Sequence, residues 1–131
     1  MTDFMQIAIE EARKAERKGE VPIGAVIVRA GKVVAKAHNM RERKQHALFH
    51  AEILAIGKAC RKLKSWRLDD CVMYVTLAPC AMCMGAAVNA RLQKVIIGAK
   101  SETDLNWKVE VQQDLREECS KILKEFFATK R

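Results

Sequence analysis

Apolar residues recur along this chain in two rhythms, one of about 3.6 and one of two or fewer, and each switch between them marks a new element. From Asp3 to Lys18, Phe4, Ile7, Ala8, Glu11, Ala12 and Ala15 fall on one helical face, mostly apolar, with arginine and lysine opposite. Gly19 suits the stop, since a helix ends most easily where the chain can take a positive φ. Residues 23–28, "IGAVIV", then read as a buried strand, and 32–38, "KVVAKAH", as its partner across a tight turn at Ala30–Gly31. After a polar loop the helical rhythm returns in "HAEILAIGKACRKLK", with Ile53, Ile56, Ala59, Cys60 and Leu63 in step. "CVMYVTL" is a strand of β-favouring residues that ends at Pro79, and "CAMCMGAAVNAR" a short helix of small residues suited to close packing. "KVIIGA" is another strand and "WKVEVQ" a possible fifth. A last helix carries Leu115, Cys119, Ile122, Leu123 and Phe126 on one face. A strand–helix–strand unit inside this order implies a mixed sheet covered by helices.

Composition narrows the class without naming a chemistry. With 131 residues, no internal repeat and no Pro/Gly-rich linker, one domain over 1–131 is expected. The opening residues carry early acids and no unbroken apolar core, unlike a secretory or transit peptide, and the longest apolar runs are far too short for a bilayer. A cytoplasmic protein with no membrane partner is the expectation. Five cysteines, an odd number, do not suggest a disulfide framework. Cys60, Cys71 and Cys119 read as small core residues. The net charge of +8, with clusters at Arg41–Lys44 and Arg61–Lys64, fits a polyanionic partner and a merely solvated surface equally well.

The candidate chemistry lies in His50, Glu52, Cys80 and Cys83. Cys80 and Cys83 are three apart at a helix start, so both sulfurs face one side, and the helix N-terminus should lower both thiol pKa values. A redox pair would use the cysteines without the histidine, and a structural zinc would want a fourth ligand. A Cys₂His set with one open position is the arrangement of a catalytic zinc. Glu52, two residues after His50, can lean over that open position and move protons there. Zinc lowers the pKa of its water to about 7, and a placed general acid/base adds roughly 10²–10⁴-fold in rate. His38 reads as a strand-end residue and His46 as a loop residue rather than as ligands.

The spacing H-x-E…P-C-x-x-C is the signature of the zinc-dependent nucleobase deaminases. Beyond those four residues, "VPIGAVIV", His38–Asn39, "HAEILAI", "SWRLDDCVMYVTL", "PCAMCMGA", "ARLQKVIIGA" and "EECSKILKEFF" resemble the bacterial tRNA adenosine deaminases, over nearly the whole chain apart from about residues 101–106. That resemblance implies a three-layer α/β/α cytidine-deaminase-like fold, a mixed sheet of four to five strands covered by helices. It implies one zinc per chain held by His50, Cys80 and Cys83, with Glu52 as proton shuttle. The activity implied is hydrolysis of adenosine to inosine at the anticodon wobble position of tRNA. Asn39, Pro22 and the backbone of Ala51 would hold the base, which must leave its stack to enter. Phe127 and Lys130, with Arg131, match positions where the family contacts RNA, although an ordinary amphipathic helix end explains them as well. A homodimer with the zinc-bearing helices near the interface is also implied.

Several positions depart from the family pattern. Ala78 stands where a glutamate usually precedes the proline, Ser101 where an aspartate usually follows, and "HALFHAE" replaces the usual lead-in to the histidine. Where relatives carry a longer Gly- and Ala-rich segment with its own helix, only "KSETDLN" joins the fourth strand to the fifth. A parallel crossover needs about a dozen residues, usually with a helix, so the fifth strand is expected to run antiparallel or to be lost. A deaminase of a free base, a nucleoside or single-stranded DNA is the enzymatic alternative. A zinc-containing RNA-binding relative without catalysis is the alternative of another class.

Overall fold

The computed structural model describes residues 1–129; Lys130 and Arg131 lie outside the described residues. Nine elements run α1 (Phe4–Arg17), β1 (Gly24–Arg29), β2 (Lys32–His38), α2 (Ala51–Leu63), β3 (Cys71–Val75), α3 (Ala81–Asn89), β4 (Lys94–Ile97), β5 (Glu110–Gln113) and α4 (Glu117–Thr129). The strands form one sheet in the order β2-β1-β3-β4-β5. β1 is antiparallel to β2 and β3, while β3–β4 and β4–β5 are parallel.

Alternation along the strands divides the core into two layers. Ala25, Ile27, Met73, Val75, Val95 and Ile97 point to one face, where they pack with Ala51, Ala55 and Ala59 of α2 and Met84 and Ala87 of α3. Val26 and Val28 point to the other, against Met5, Ala8 and Ile9 of α1 and Cys119 and Ile122 of α4. Fully burying a side chain such as Ile27 contributes about 1.5–3 kcal/mol, so both layers stabilise the sheet substantially. Gly24 is required where α1 crosses β1: a Cβ there would lie 2.0 Å from the Ala8 carbonyl oxygen.

The fifth strand corrects the sequence expectation, because it is present and parallel to β4, with Val95 opposite Val111. Trp107, Lys108 and Val109 belong to the connection rather than to the strand, so twelve residues, 98–109, make the crossover. Extended chain of that length reaches roughly 40 Å, and running back along a four-residue strand takes roughly 13 Å. No helix is needed and none forms. Two smaller differences follow from helix phase. Met5 and Ile9, not Phe4 and Ile7, are fully buried on α1, and Leu115 precedes α4 and is exposed.

Register gathers the site. Gly24 pairs with His38 and Ala25 with Val75, so the start of β1, the end of β2 and the end of β3 lie at one end of the sheet. Pro22, Asn39 and Cys80 are therefore delivered to the same place. Among the described residues no helix is long and apolar enough to cross a membrane.

Candidate active site

His50 and Cys80 are the N-cap residues of α2 and α3, and neither side chain makes a capping hydrogen bond. Serine, threonine, asparagine or aspartate is usual at such positions, where a side-chain oxygen satisfies the helix's first amides. Both caps here are instead turned toward each other. His50 Nδ1 lies 3.7 Å from Cys80 Sγ and 3.6 Å from Cys83 Sγ, and the three ligand atoms sit within 4.8 Å of one another. Two ligands on a tetrahedral zinc, at Zn–N and Zn–S bond lengths, are separated by about 3.6 Å. The donor set and its spacing thus fit a zinc ion with three protein ligands.

Glu52 is the second residue of α2 and is buried, and among the described residues its Oε1 has no hydrogen-bond partner. Burial, above all, raises its carboxyl pKa to about 7. An orphaned carboxylate oxygen in a protein interior is costly unless a ligand completes it. His50 is held below its ordinary value by burial and then by the Arg41 charge, which keeps the imidazole neutral and able to ligate. Cys83 behaves opposite to the helix-terminus expectation: burial, the Glu52 charge and Cys80 push its thiol far up. A bound divalent cation reverses such a shift outright.

The other sequence-predicted residues divide. Asn39 is buried beside the site, and its Oδ1 accepts from the Arg41 amide at 3.2 Å. Ala51 is buried at the start of α2, and Pro22 is buried just ahead of β1. Phe127 is exposed on α4 and makes an edge contact with the buried Phe126. Lys130 and Arg131 fall outside the described residues. His38 is no ligand: its Nδ1 is 3.1 Å from Glu11 Oε1 and its Nε2 3.1 Å from Lys18 Nζ. His46 stacks on Phe49, with ring centroids 3.9 Å apart.

Two departures noted in the sequence meet in space. Ala78 N donates to Ala99 O at 2.9 Å, and Ser101 Oγ lies 3.5 Å from Ala78 O. The hydroxyl at 101 thus reaches the backbone of residue 78 across the ends of β3 and β4. Sequence spacing holds no sign of that pairing. Glu20, fully buried and bonded to two backbone amides of the loop before His50, was also missed, because its partners are amides 22 and 23 residues away.

Comparison with known proteins agrees with this geometry. The MafB19-like deaminase family matches residues 1–131. A tRNA-specific adenosine deaminase of Bacillus subtilis (strain 168) is 46% identical over 139 residues, covering 95% of this chain and 86% of its own length. One from Aquifex aeolicus (strain VF5) is 42% identical over 138 residues, covering 95% and 91%. Both alignments are longer than the chain itself, so those relatives carry residues without a counterpart here. A solved structure from work on A-to-I editing by tRNA:A34 deaminases superposes with a TM-score of 0.86 at 36% identity, covering 92% of this chain and 98% of that one.

Proposed function

The chain belongs to the MafB19-like deaminase family, and from that premise we propose that it hydrolyses adenosine to inosine in transfer RNA, at the wobble position of the anticodon. The substrate follows the tRNA-specific relatives. The chemistry is carried by one observation, the buried and unpartnered Glu52 Oε1 beside the cluster of His50, Cys80 and Cys83. Those three residues would hold one zinc, whose contribution when bound is to make water nucleophilic at neutral pH.

Glu52 takes a proton from the attacking water as its oxygen adds to C6 of adenine, and delivers it to N1 as the C6–N1 double bond opens. The carboxyl, with a pKa of about 7, then moves the proton of the new C6 hydroxyl to the exocyclic nitrogen. The C6–N bond breaks, ammonia leaves and the base becomes hypoxanthine, so water in balances ammonia out. Asn39, the Ala51 backbone and Pro22 orient the base edge, and the buried walls of Ala51 and Cys83 exclude bulk water. Phe127 and Lys130 extend the contact to neighbouring nucleotides by stacking and charge. A homodimer is proposed with the α2–α3 side at its interface, supported by the exposed indole of Trp66 there, flanked by Arg67 and Arg91.

Nucleoside mass spectrometry of a tRNA pool, treated with zinc-loaded protein or with Glu52→Gln, tests this reading. Inosine should form with the intact protein alone, and the variant should lose roughly 10²–10⁴-fold in rate while keeping its metal. Metal-loaded protein that yields no inosine would sink it. The helix-free crossover favours a second reading, a free base or single-stranded DNA as substrate, and such an outcome would point there.

A further inference from the structure

Glu20 is a fully buried carboxylate that the deamination does not use. It follows Gly19, whose φ of +75° ends α1, and the amides of Gly19 and Glu20 return to the carbonyls of Glu16 and Ala15. This is the Schellman arrangement, in which the residue at Glu20's place normally makes an apolar contact. Here an acid occupies it, and among the described residues it forms no ion pair. Its Oε1 accepts from the Glu42 amide at 3.1 Å and its Oε2 from the Arg43 amide at 2.6 Å.

Those two amides open a single helical turn in the loop between β2 and α2. Lys44 N bonds Met40 O and His46 N bonds Arg41 O, so the first amides of the turn have no partner within it. Glu20 supplies the missing acceptors from 22 and 23 residues away, acting as a cap on the turn. The loop closes at its base through Met40 N to Phe49 O, and residues 41–48 are all exposed. Its ends are Asn39 and His50. It displays Arg41, Arg43 and Lys44 against the one acid Glu42.

We propose that Glu20 is a positioning residue for the substrate: by capping this turn it holds Arg41, Arg43 and Lys44 at the mouth of the site, where they take the phosphates flanking the target nucleotide. The proposal rests on the nucleic-acid reading above, since a free base offers no phosphate. A carboxylate suits the task because it accepts at both oxygens, whereas glutamine would turn an NH₂ toward one of the two amides.

The test is a titration of a labelled anticodon stem-loop RNA, followed by fluorescence anisotropy at three salt concentrations. It compares zinc-loaded intact protein, Glu20→Gln, the triple variant Arg41→Gln/Arg43→Gln/Lys44→Gln, and all four changes together. Glu20→Gln should weaken binding about tenfold and flatten its salt dependence, each lost phosphate contact removing about 0.7 from the log–log slope. The triple variant should lose at least as much, and adding Glu20→Gln to it should cost nothing more, because the two act through one contact. Metal content and kcat at saturating RNA should stay with Glu20→Gln, which a general loosening of the fold would not allow. Unchanged affinity and slope in Glu20→Gln, additive losses, or loss of metal each overturn the proposal. Should Glu20→Gln not fold, unchanged affinity in the triple variant overturns it alone. RNA bound as described without inosine formed sinks the deaminase reading and leaves this one standing; inosine formed with affinity unmoved does the reverse.

Discussion

At the scale of single residues, the acid on α1 that breaks an apolar face has its explanation in Glu11. Burial would push its carboxyl up, but Lys14 at 2.7 Å and His38 at 3.1 Å outweigh burial and hold it below its ordinary 4.5. A depressed folded-state pKa means that these contacts stabilise fully above the unfolded value and lose their effect as pH falls through the folded one. Glu11→Gln should therefore cost about 1–3 kcal/mol at pH 7, and the deficit should shrink below pH of about 4.5. Urea titrations of both proteins at pH 7 and pH 3 would measure it, and a deficit that does not vary with pH would refute the assignment. The clustering of His50, Cys80 and Cys83 was legible in the sequence because those residue types stand at a fixed spacing. Glu20 was not, because its partners are backbone amides that any residues would supply. The Cys83 thiol went the other way from expectation, since depth of burial does not show in a motif.

At the scale of elements, the β1–β2 hairpin carries a visible cost. Arg29 pairs with Lys32, so Ala30 and Gly31 form a two-residue turn, with φ of 50° and 74°. Positive φ at both positions is the turn that suits the strand twist, but a left-handed alanine costs roughly 1–2 kcal/mol. Ala30→Asn should raise stability by about 1 kcal/mol and the melting temperature by a few degrees, with activity unchanged because the turn is at the far end from the site. A melting temperature that falls would show that the asparagine meets something Ala30 does not. Strand and helix positions followed from rhythm almost everywhere. The exception at β5 arose because Trp107 and Val109 look like strand residues, and placing the strand three residues early left too short a crossover for the parallel arrangement that forms.

At the scale of the whole molecule, the candidate ligands tie together the starts of two helices packed on the same face of the sheet. Metal bound to the folded state alone stabilises by mass action, by about 4 kcal/mol when its free concentration is a thousand times the dissociation constant. Chelation should lower the melting temperature by roughly 10–20 °C and abolish turnover, with zinc restoring both and magnesium neither. Calorimetry with and without chelator checks this; an unchanged transition would mean that the cluster does not hold a metal.

The crossover without a helix has a further consequence, for how the chain can be cut. Lys100 and Lys108 are exposed within it, near its two ends, and every residue assigned to zinc or to proton transfer precedes it. A protease nick after Lys100 would leave a first fragment with all of those groups. The second fragment would stay attached through β5 on β4 and through Cys119 and Ile122 in the layer with Met5. The two pieces should therefore co-elute and complement each other, making this crossover a natural split point for reassembling the activity from separately expressed halves.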